Sequence, residues 1–210
     1  MLFLQGGPGG SCGSPQNLAY TNQILDKGYQ MLALDQRGTG LSSALSAATI
    51  RVRGDEDAQV DYLKLFRADS IIRDCEAIRL ALTHDYPEEK KQWSVTGQSF
   101  GGFCETTYLS FFPEGLKEVF MFGGLPPLVD QPDQVYASLY PRVLKRNAEY
   151  YEKYPDDVAR VKQIVAWLNL VNEEAVKCQV PFKVTTTGRK FLQLGMAFGT
   201  HGGFDSVHGT

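Results

Sequence analysis

The sequence is poor in the residues that build metal sites and disulfide frameworks. It has four cysteines and three histidines in 210 residues. The cysteines lie far apart, with no Cys-x-x-Cys spacing and no pair of histidines nearby: Cys12, Cys75, Cys104 and Cys178. This spacing is unlike that of a zinc site or of a disulfide framework. We therefore expect reduced thiols in a cytoplasmic protein, and no metal.

A surplus of positive charge and a long apolar run are also missing. The formal net charge is −3 at pH 7, whereas proteins that bind nucleic acid concentrate basic residues on one surface. No apolar run approaches the length of about 20 residues that a membrane-spanning helix needs. We therefore expect no nucleic-acid partner and no membrane partner.

Apolar runs punctuated by glycine and proline are what the first part of the chain has instead. Four of these runs predict strands, the first two of them buried: 1–5, 29–35, 92–97 and 116–124. Apolar residues at helical spacing predict helices between them at 16–28, 68–87 and 99–112, the second with Asp69 or Ser70 as its N-cap. Residues 43–60 show no period and predict a surface excursion. Strands alternating with helices predict an α/β fold with a parallel sheet covered by helices on both faces.

The composition changes after Leu125. A proline-rich linker is followed by charged and aromatic segments at helical spacing, 134–154 and 156–170, by the stretch 180–188, and by a last amphipathic stretch around 191–199. The chain then ends in a glycine-rich tail in which no strand is predicted. We predict two domains: a partial α/β core over 1–125 and an incomplete helical cap, or lid, over 126–210.

Ser99 stands in the sequence Gly-Gln-Ser-Phe-Gly, between a predicted strand and a predicted helix. A serine hydroxyl is a poor nucleophile at neutral pH unless it is exposed, helped by a base and paired with donors for the oxyanion it creates. A sharp strand-to-helix turn lifts the hydroxyl above the sheet, and the Phe100 amide at the helix N-terminus faces the developing charge. The pattern predicts that Ser99 is a catalytic nucleophile.

A second glycine loop, residues 5–10, follows the first predicted strand. A serine on such a strand-to-helix turn, called a nucleophile elbow, needs another oxyanion donor from the loop after an earlier strand. The backbone amides of glycines can supply it. A phosphate-binding loop is excluded because no Gly-Lys-Ser/Thr follows. A dinucleotide fingerprint is excluded because its third glycine falls on Cys12. The sequence therefore predicts no cofactor.

Three motifs in order, residues 6–10, 35–42 and 97–103, resemble those of the proline iminopeptidase family of α/β-hydrolase serine peptidases, in particular its fungal-type members. Residues 68–79 and 112–128 resemble the family as well. The resemblance implies the α/β-hydrolase fold and a serine aminopeptidase that removes N-terminal proline, or a similar residue, from peptides. By position it implies that Ser99 is the nucleophile and that the amides of Gly7 and Phe100 form the oxyanion hole.

Two further positions are interpreted through the same resemblance. The loop Asp35-Gln36-Arg37-Gly38 is expected to be scaffold near the site, with Arg37 paired to an unassigned carboxylate. Gln5 stands where many relatives have histidine, which is a departure from the family pattern.

The histidine and the acid of a catalytic triad are hard to find in this sequence. In this fold they follow the nucleophile in the order serine, acid, histidine. His84 precedes Ser99, and His201 and His208 lie in the glycine-rich tail. We therefore expect the triad acid and base to lie outside these 210 residues, in a longer protein. Because loss of the triad histidine costs about a million-fold in turnover, we expect the chain alone to be essentially inactive.

Alternatives to an aminopeptidase stay open on the residues alone. The same elbow serves esterases and other small-molecule hydrolases, and a chain without a triad could be a non-catalytic binding protein of the same fold. Four glutamates are expected to be surface charges: Glu105, Glu114, Glu173 and Glu174. The preferred N-terminal residue of the substrate and the oligomeric state are not predicted.

Overall fold

A computed structural model describes residues 1–14, 16, 20–177 and 186–210, without the side chains of 174–177. Some predicted features therefore lie outside the described residues: Cys178, the side chain of Glu174, residues 17–19 of the helix expected at 16–28 and most of the stretch 180–188. The chain divides into two compact units, Met1–Pro127 and Leu128–Thr210. Each unit is described by itself below.

The first unit is built on a parallel sheet, as expected for an α/β fold. Its described strands are β1 (Leu2–Leu4), β2 (Leu32–Ala33), β3 (Trp93–Gln98) and β4 (Leu116–Phe122), in the order β2-β1-β3-β4. Its described α-helices are α1 (Thr21–Asp26), α2 (Ala47–Arg51), α3 (Glu56–Lys64), α4 (Ala68–Leu82) and α5 (Phe100–Phe111). The four predicted strands are present, although the one expected to be buried over 29–35 is only two residues long and is not buried.

The surface excursion expected over 43–60 is confirmed, because none of its residues is buried. It contains α2 and the first part of α3, because side-chain caps start both helices. Ser46 accepts a hydrogen bond from the Thr49 amide, and Asp55 accepts one from the Ala58 amide. The predicted N-cap of α4 is wrong: neither Asp69 nor Ser70 caps the helix, which begins two or three residues earlier with Arg67 at the N-cap and no side-chain cap.

The hydrophobic core lies between the central strands and the helices α4 and α5. Each residue of β1 is buried, as are the first five of β3. These strands pack against Ile72 and Cys75 of α4 and against Cys104 of α5. Burial of a strand on both faces is typical of parallel sheets covered by helices.

A buried polar network links α4, α5 and β3. The Tyr108 hydroxyl donates to Glu76 Oε2 at 2.8 Å and accepts from Trp93 Nε1 at 3.0 Å. Arg79 Nε donates to the same Glu76 oxygen at 2.9 Å, and this hydrogen bond is the main cause of a lowered pKa of Glu76. Every polar group of the network thus has a partner, as buried polar groups require.

The order of the strands creates a crevice at one end of the sheet. From β1 the chain moves to β2 on one side, whereas from β3 it moves to β4 on the other side. Such a crevice forms where the connections of two neighbouring parallel strands leave in opposite directions. The α/β proteins bind their ligands there, beyond the carboxyl ends of the two strands. Here that place lies after Leu4 and after Gln98.

The second unit is helical. It contains α6 (Pro132–Lys153), α7 (Asp157–Lys177), α8 (Gly188–Leu192), a 3-10 helix (Gln193–Gly199) and α9 (Gly203–His208). The glycine-rich tail is therefore partly helical. The Tyr150 ring stacks on that of Phe198 with centroids 4.4 Å apart, and Phe204 packs edge-on against Tyr150. No helix in the described parts of the chain is both long and apolar enough to cross a membrane.

Candidate active site

Ser99 occupies a strained turn between β3 and α5. Its φ is +56° and its ψ is −119°, and it is the one non-glycine residue with positive φ among the described residues. Its amide donates to the Phe122 carbonyl of the neighbouring strand at 3.0 Å, and its side chain is exposed. A strained residue held by surrounding structure is typical of functional sites, and this strand-turn-helix geometry is that of a nucleophile elbow.

Glycines allow the backbone to cross closely behind Ser99. A Cβ atom on Gly101 would lie 2.1 Å from the Leu4 carbonyl oxygen of β1, and one on Gly102 would lie 2.5 Å from the Gly124 Cα. A Cβ on Gly97 would lie 2.7 Å from the Gly101 carbonyl carbon. No side chain fits at these crossings, so the glycines are required by contact between backbone segments.

The glycine loop after β1 lies directly beside the elbow. β1 and β3 are paired with Leu4 opposite Gly97, and a Cβ on Gly6 would be 2.7 Å from the Gln98 carbonyl oxygen and 3.1 Å from the Ser99 Cβ. Gly7 follows with a φ of +121°. Within the described residues neither the Gly7 amide nor the Phe100 amide donates a hydrogen bond. The two predicted oxyanion donors thus lie in the glycine loop and at the N-terminus of α5, and neither has an acceptor among the described residues.

Asp35 and Gln36 brace the glycine loop from the loop after β2. Asp35 Oδ1 accepts from the Cys12 amide at 2.7 Å, and Oδ2 accepts from the Leu41 amide at 2.7 Å. Gln36 Nε2 donates to the Gln5 carbonyl at 3.1 Å. The Gln5 side chain closes its own loop, because its oxygen accepts from the Gly6 amide and its nitrogen donates to the Ser11 carbonyl. The expectation that residues 35–38 are scaffold agrees with these contacts.

Asp35→Asn is expected to lower the melting temperature at pH 7, because an asparagine side chain cannot accept from both backbone amides. The amides of Leu41 and then Cys12 lower the pKa of Asp35 below 3.8. The stability they provide is therefore present above pH 3.8 and is lost as the pH falls through the lowered pKa. Thermal melts from pH 2 to 7 should show the smallest difference between variant and native protein at the acid end. The exposed Asp26→Asn is the control, and equal melts for Asp35→Asn and the native protein would contradict the bracing role.

Arg37 holds the other side of the same loop. Its Nε and Nη2 donate to the two carboxylate oxygens of Asp74 on α4 at 2.6 and 2.5 Å, and its Nη1 donates to the Leu65 carbonyl at 2.8 Å. Asp74 is the carboxylate that the sequence left unassigned. The bidentate geometry gives the pair a fixed orientation, so Arg37 joins the loop to α4 and to the end of α3.

The histidines do not supply Ser99 with a base in the first unit. His84, the one histidine in the sequence of that unit, lies in the connection that enters β3 at its amino end, whereas Ser99 leaves its carboxyl end. His84 is exposed, and its Nδ1 lies 2.8 Å from Asp85 Oδ1. His84 is therefore a surface residue.

His208 has a partner that the sequence did not suggest. In the second unit its Nδ1 lies 2.9 Å from Asp157 Oδ2, and its ring stacks on Tyr154 with centroids 3.8 Å apart. Hydrogen bonds from Tyr150 and then from His208 lower the pKa of Asp157. The pair is separated by 51 residues, which is why spacing alone did not reveal it.

The prediction that Glu105 is a surface charge is wrong. Its side chain on α5 is fully buried, whereas Glu114 and Glu173 are exposed as expected. Helical spacing contained the signal, because Gly101 and Tyr108 lie on the same face of α5 and are buried too. Elsewhere in the described chain, no cluster of three or more histidine, cysteine or acidic side chains is arranged to hold a metal ion.

The sequence of the chain is similar to those of known proteins. A sequence model described as alpha/beta hydrolase fold matches residues 1–174. The chain is 49% identical over 209 residues to the proline iminopeptidase aneH of Aspergillus aculeatus, covering 100% of this chain and 45% of that protein. It is 37% identical over 209 residues to a proline iminopeptidase of Aeromonas sobria, covering 99% of this chain and 46% of that protein.

The chain therefore spans about half the length of the curated relatives it matches. The family model covers most of the chain, including β1, the glycine loop, the elbow and the beginning of the second unit. The parallel sheet, the positive φ of Ser99 and the glycine crossings are the features of that fold. This chain belongs to the alpha/beta hydrolase fold family.

Proposed function

We propose that the protein is a serine aminopeptidase that releases N-terminal proline, or a similar residue, from peptides through an acyl-enzyme on Ser99. The observation that carries the proposal is the exposed, strained Ser99 at the N-terminus of α5, beside a glycine loop. Similarity along the whole chain to two proteins named proline iminopeptidase supports the choice of substrate.

The proposed chemistry assigns a role to each residue of the elbow. Ser99 Oγ attacks the carbonyl carbon of the N-terminal residue and passes its proton to a base. The carbonyl oxygen becomes an oxyanion, which accepts hydrogen bonds from the amides of Phe100 and Gly7. Collapse of the intermediate breaks the peptide bond, and the protonated base gives its proton to the departing amine. Water then hydrolyses the ester on Ser99 and frees the amino acid.

We assign the triad acid and base to parts of the protein beyond these 210 residues. Two observations support this: the relatives are about twice as long, and His84 lies at the opposite end of β3 from Ser99. We also propose that residues 1–125 are a partial α/β core domain and that residues 126–210 are part of a helical cap domain. The unit boundary after Pro127 is consistent with that division.

The proposed partner is a peptide with a free N-terminus, because an exopeptidase must recognise the end of its substrate. We place the protein in the cytoplasm. Support for that location comes from Cys12, Cys75 and Cys104, which are buried free thiols, the form in which cysteine persists in reducing compartments.

Hydrolysis of proline arylamides tests the proposal. The 210-residue chain and the longest protein that its gene encodes are assayed with proline p-nitroanilide, its N-acetylated form and a short-chain p-nitrophenyl ester. We expect the longer protein to hydrolyse the free-amine amide and to reject the acetylated one, and the 210-residue chain to show essentially no turnover.

Two results would contradict the aminopeptidase. Faster turnover of the ester, together with indifference to the acetyl group, would favour an esterase. Failure of the longer protein to hydrolyse any of the three substrates and to react with a fluorophosphonate probe would favour a non-catalytic binding protein.

A further inference from the structure

Glu105 is a fully buried carboxyl group directly behind the nucleophile elbow. It lies on α5, six residues after Ser99, and its relative exposure is 0%. A Cβ on Gly97, two residues before Ser99, would be 2.9 Å from Glu105 Oε2. The carboxyl group therefore lies against the end of β3, where the chain turns towards Ser99.

Neither oxygen of this carboxyl group has a hydrogen-bond partner among the described residues. The Gly97 amide favours the charged form of Glu105, but its geometry falls short of a hydrogen bond. Buried polar groups without partners are rare, and each one needs an explanation. A buried carboxylate with no partner is especially unfavourable, because the charge has lost its hydration.

Within the described part of the chain, no positively charged group acts on Glu105 from the elements packed around it. β1 and β3 carry no ionisable side chain. On α4, Glu76 and Arg79 pair with each other. On β4, Glu118 accepts hydrogen bonds from Tyr29 and Ser94, and Lys117 is exposed.

The titratable groups that interact electrostatically with Glu105 are uncharged at neutral pH. They are the Cys104 thiol on the same helix and the Tyr20 hydroxyl before α1, and burial is the first cause of a raised pKa in both. The Tyr20 hydroxyl is itself buried without a hydrogen-bond partner among the described residues. Among the described residues, the surroundings of Glu105 therefore supply no positive charge, and only the Gly97 amide favours its anion.

We propose that Glu105 is a positioning residue for Ser99: its neutral carboxylic acid packs behind the elbow, and its ionisation loosens the turn that holds Ser99. The contact that transmits this effect is Gly97, which lies against both Glu105 and the Gly101 carbonyl. The inference depends on the proposed function only for its catalytic consequence. Loosening of the turn is a property of the folded chain itself.

The direction of the pH dependence follows from the burial. Burial raises the pKa of Glu105 from 4.5 to about 7. Between these values the folded chain keeps the proton while the unfolded chain releases it, so stability falls as the pH rises from about 4.5 to about 7. Below this window both states are protonated, and the contribution of Glu105 is fully present.

A carbon-13 NMR titration of the glutamate side-chain carboxyl resonances tests the protonation state directly. The resonance that disappears in Glu105→Gln identifies the residue. We expect a midpoint near 7 in the folded 210-residue chain. A midpoint at 4.5 or below would overturn the proposal, because it would show that a partner stabilises the anion.

Urea unfolding and amide hydrogen exchange between pH 5 and 8 test the effect on the elbow. We expect the unfolding equilibrium constant of the native protein to rise with pH over this range by about tenfold or more beyond any rise in the neutral isostere Glu105→Gln. Exchange at residues 97–102, corrected for intrinsic rates, should accelerate in the native protein and not in Glu105→Gln. The exposed Glu114→Gln should behave like the native protein.

Equal pH dependence of native protein and Glu105→Gln would overturn the positioning role. A pH-dependent loss of stability in the native protein without faster exchange at residues 97–102 would also overturn it, since the effect would then not act through the elbow. None of these measurements needs turnover. Their failure is therefore distinguishable from failure of the proposed aminopeptidase activity.

Discussion

Ser99→Ala is expected to lower the turnover of proline p-nitroanilide by about a million-fold in the form of the protein that hydrolyses it. Alanine keeps the strained backbone and the neighbouring amides but removes the oxygen that forms the acyl-enzyme. Residual hydrolysis over water would then come only from substrate binding and the oxyanion donors. The measurement is kcat and KM with a free-amine proline arylamide, and the loss should fall on kcat.

Fluorophosphonate labelling provides the second readout for Ser99. Mass spectrometry of the labelled native protein should locate the adduct on the peptide that contains Ser99, and Ser99→Ala should not be labelled. The matched control is Ser110→Ala, which removes an exposed serine from the same helix. Labelling that persists in Ser99→Ala, or that disappears in Ser110→Ala, would contradict the assignment of the nucleophile.

Gly101→Ala is expected to destabilise the protein by about 4 kcal/mol or more, in the range reserved for severe steric conflict. The new Cβ would lie 2.1 Å from the Leu4 carbonyl oxygen. A Cβ has a fixed position relative to its own backbone, and the Leu4 oxygen is backbone of a strand that lies between β2 and β3. Neither β1 nor α5 can move away without breaking its own hydrogen bonds, so the clash cannot be relieved locally.

Urea denaturation monitored by tryptophan fluorescence measures this effect, with Trp93 in the core as a probe. The matched control is Gly10→Ala, where a Cβ would meet no atom within 4 Å. We expect the control to unfold at the native midpoint and Gly101→Ala to unfold at a much lower urea concentration or to be recovered only as insoluble protein. A native midpoint for Gly101→Ala would show that the described crossing of β1 and α5 is wrong.

The sequence predicted the parts of the fold that depend on neighbouring residues. Apolar runs bounded by glycine predicted the positions of β1, β3 and β4. The runs of β1 and β3 are continuous because these two strands are buried on both faces. The Gly-Gln-Ser-Phe-Gly motif predicted the strained turn at Ser99, because few other local sequences allow that backbone conformation.

The sequence did not predict the features that depend on distant partners. Asp35 was identified only as scaffold, since its acceptance from the Cys12 amide requires two loops that are far apart in the sequence. The pairing of His208 with Asp157 was missed for the same reason. Glu105 was misassigned because residue type outweighed helical position: glutamate is rarely buried without a partner, whereas position 105 faces inward.

The crossing of β1 and α5 also determines how mechanical displacement reaches the site. No side chain lies between the Leu4 carbonyl and Gly101, so no deformable layer separates the two segments. A shift of β1 is therefore transmitted directly to the helix whose first residue is Phe100, while the glycine loop that follows β1 carries Gly7 with it. We therefore expect the amides of Gly7 and Phe100, which we propose as the oxyanion donors, to move together as one stiff unit.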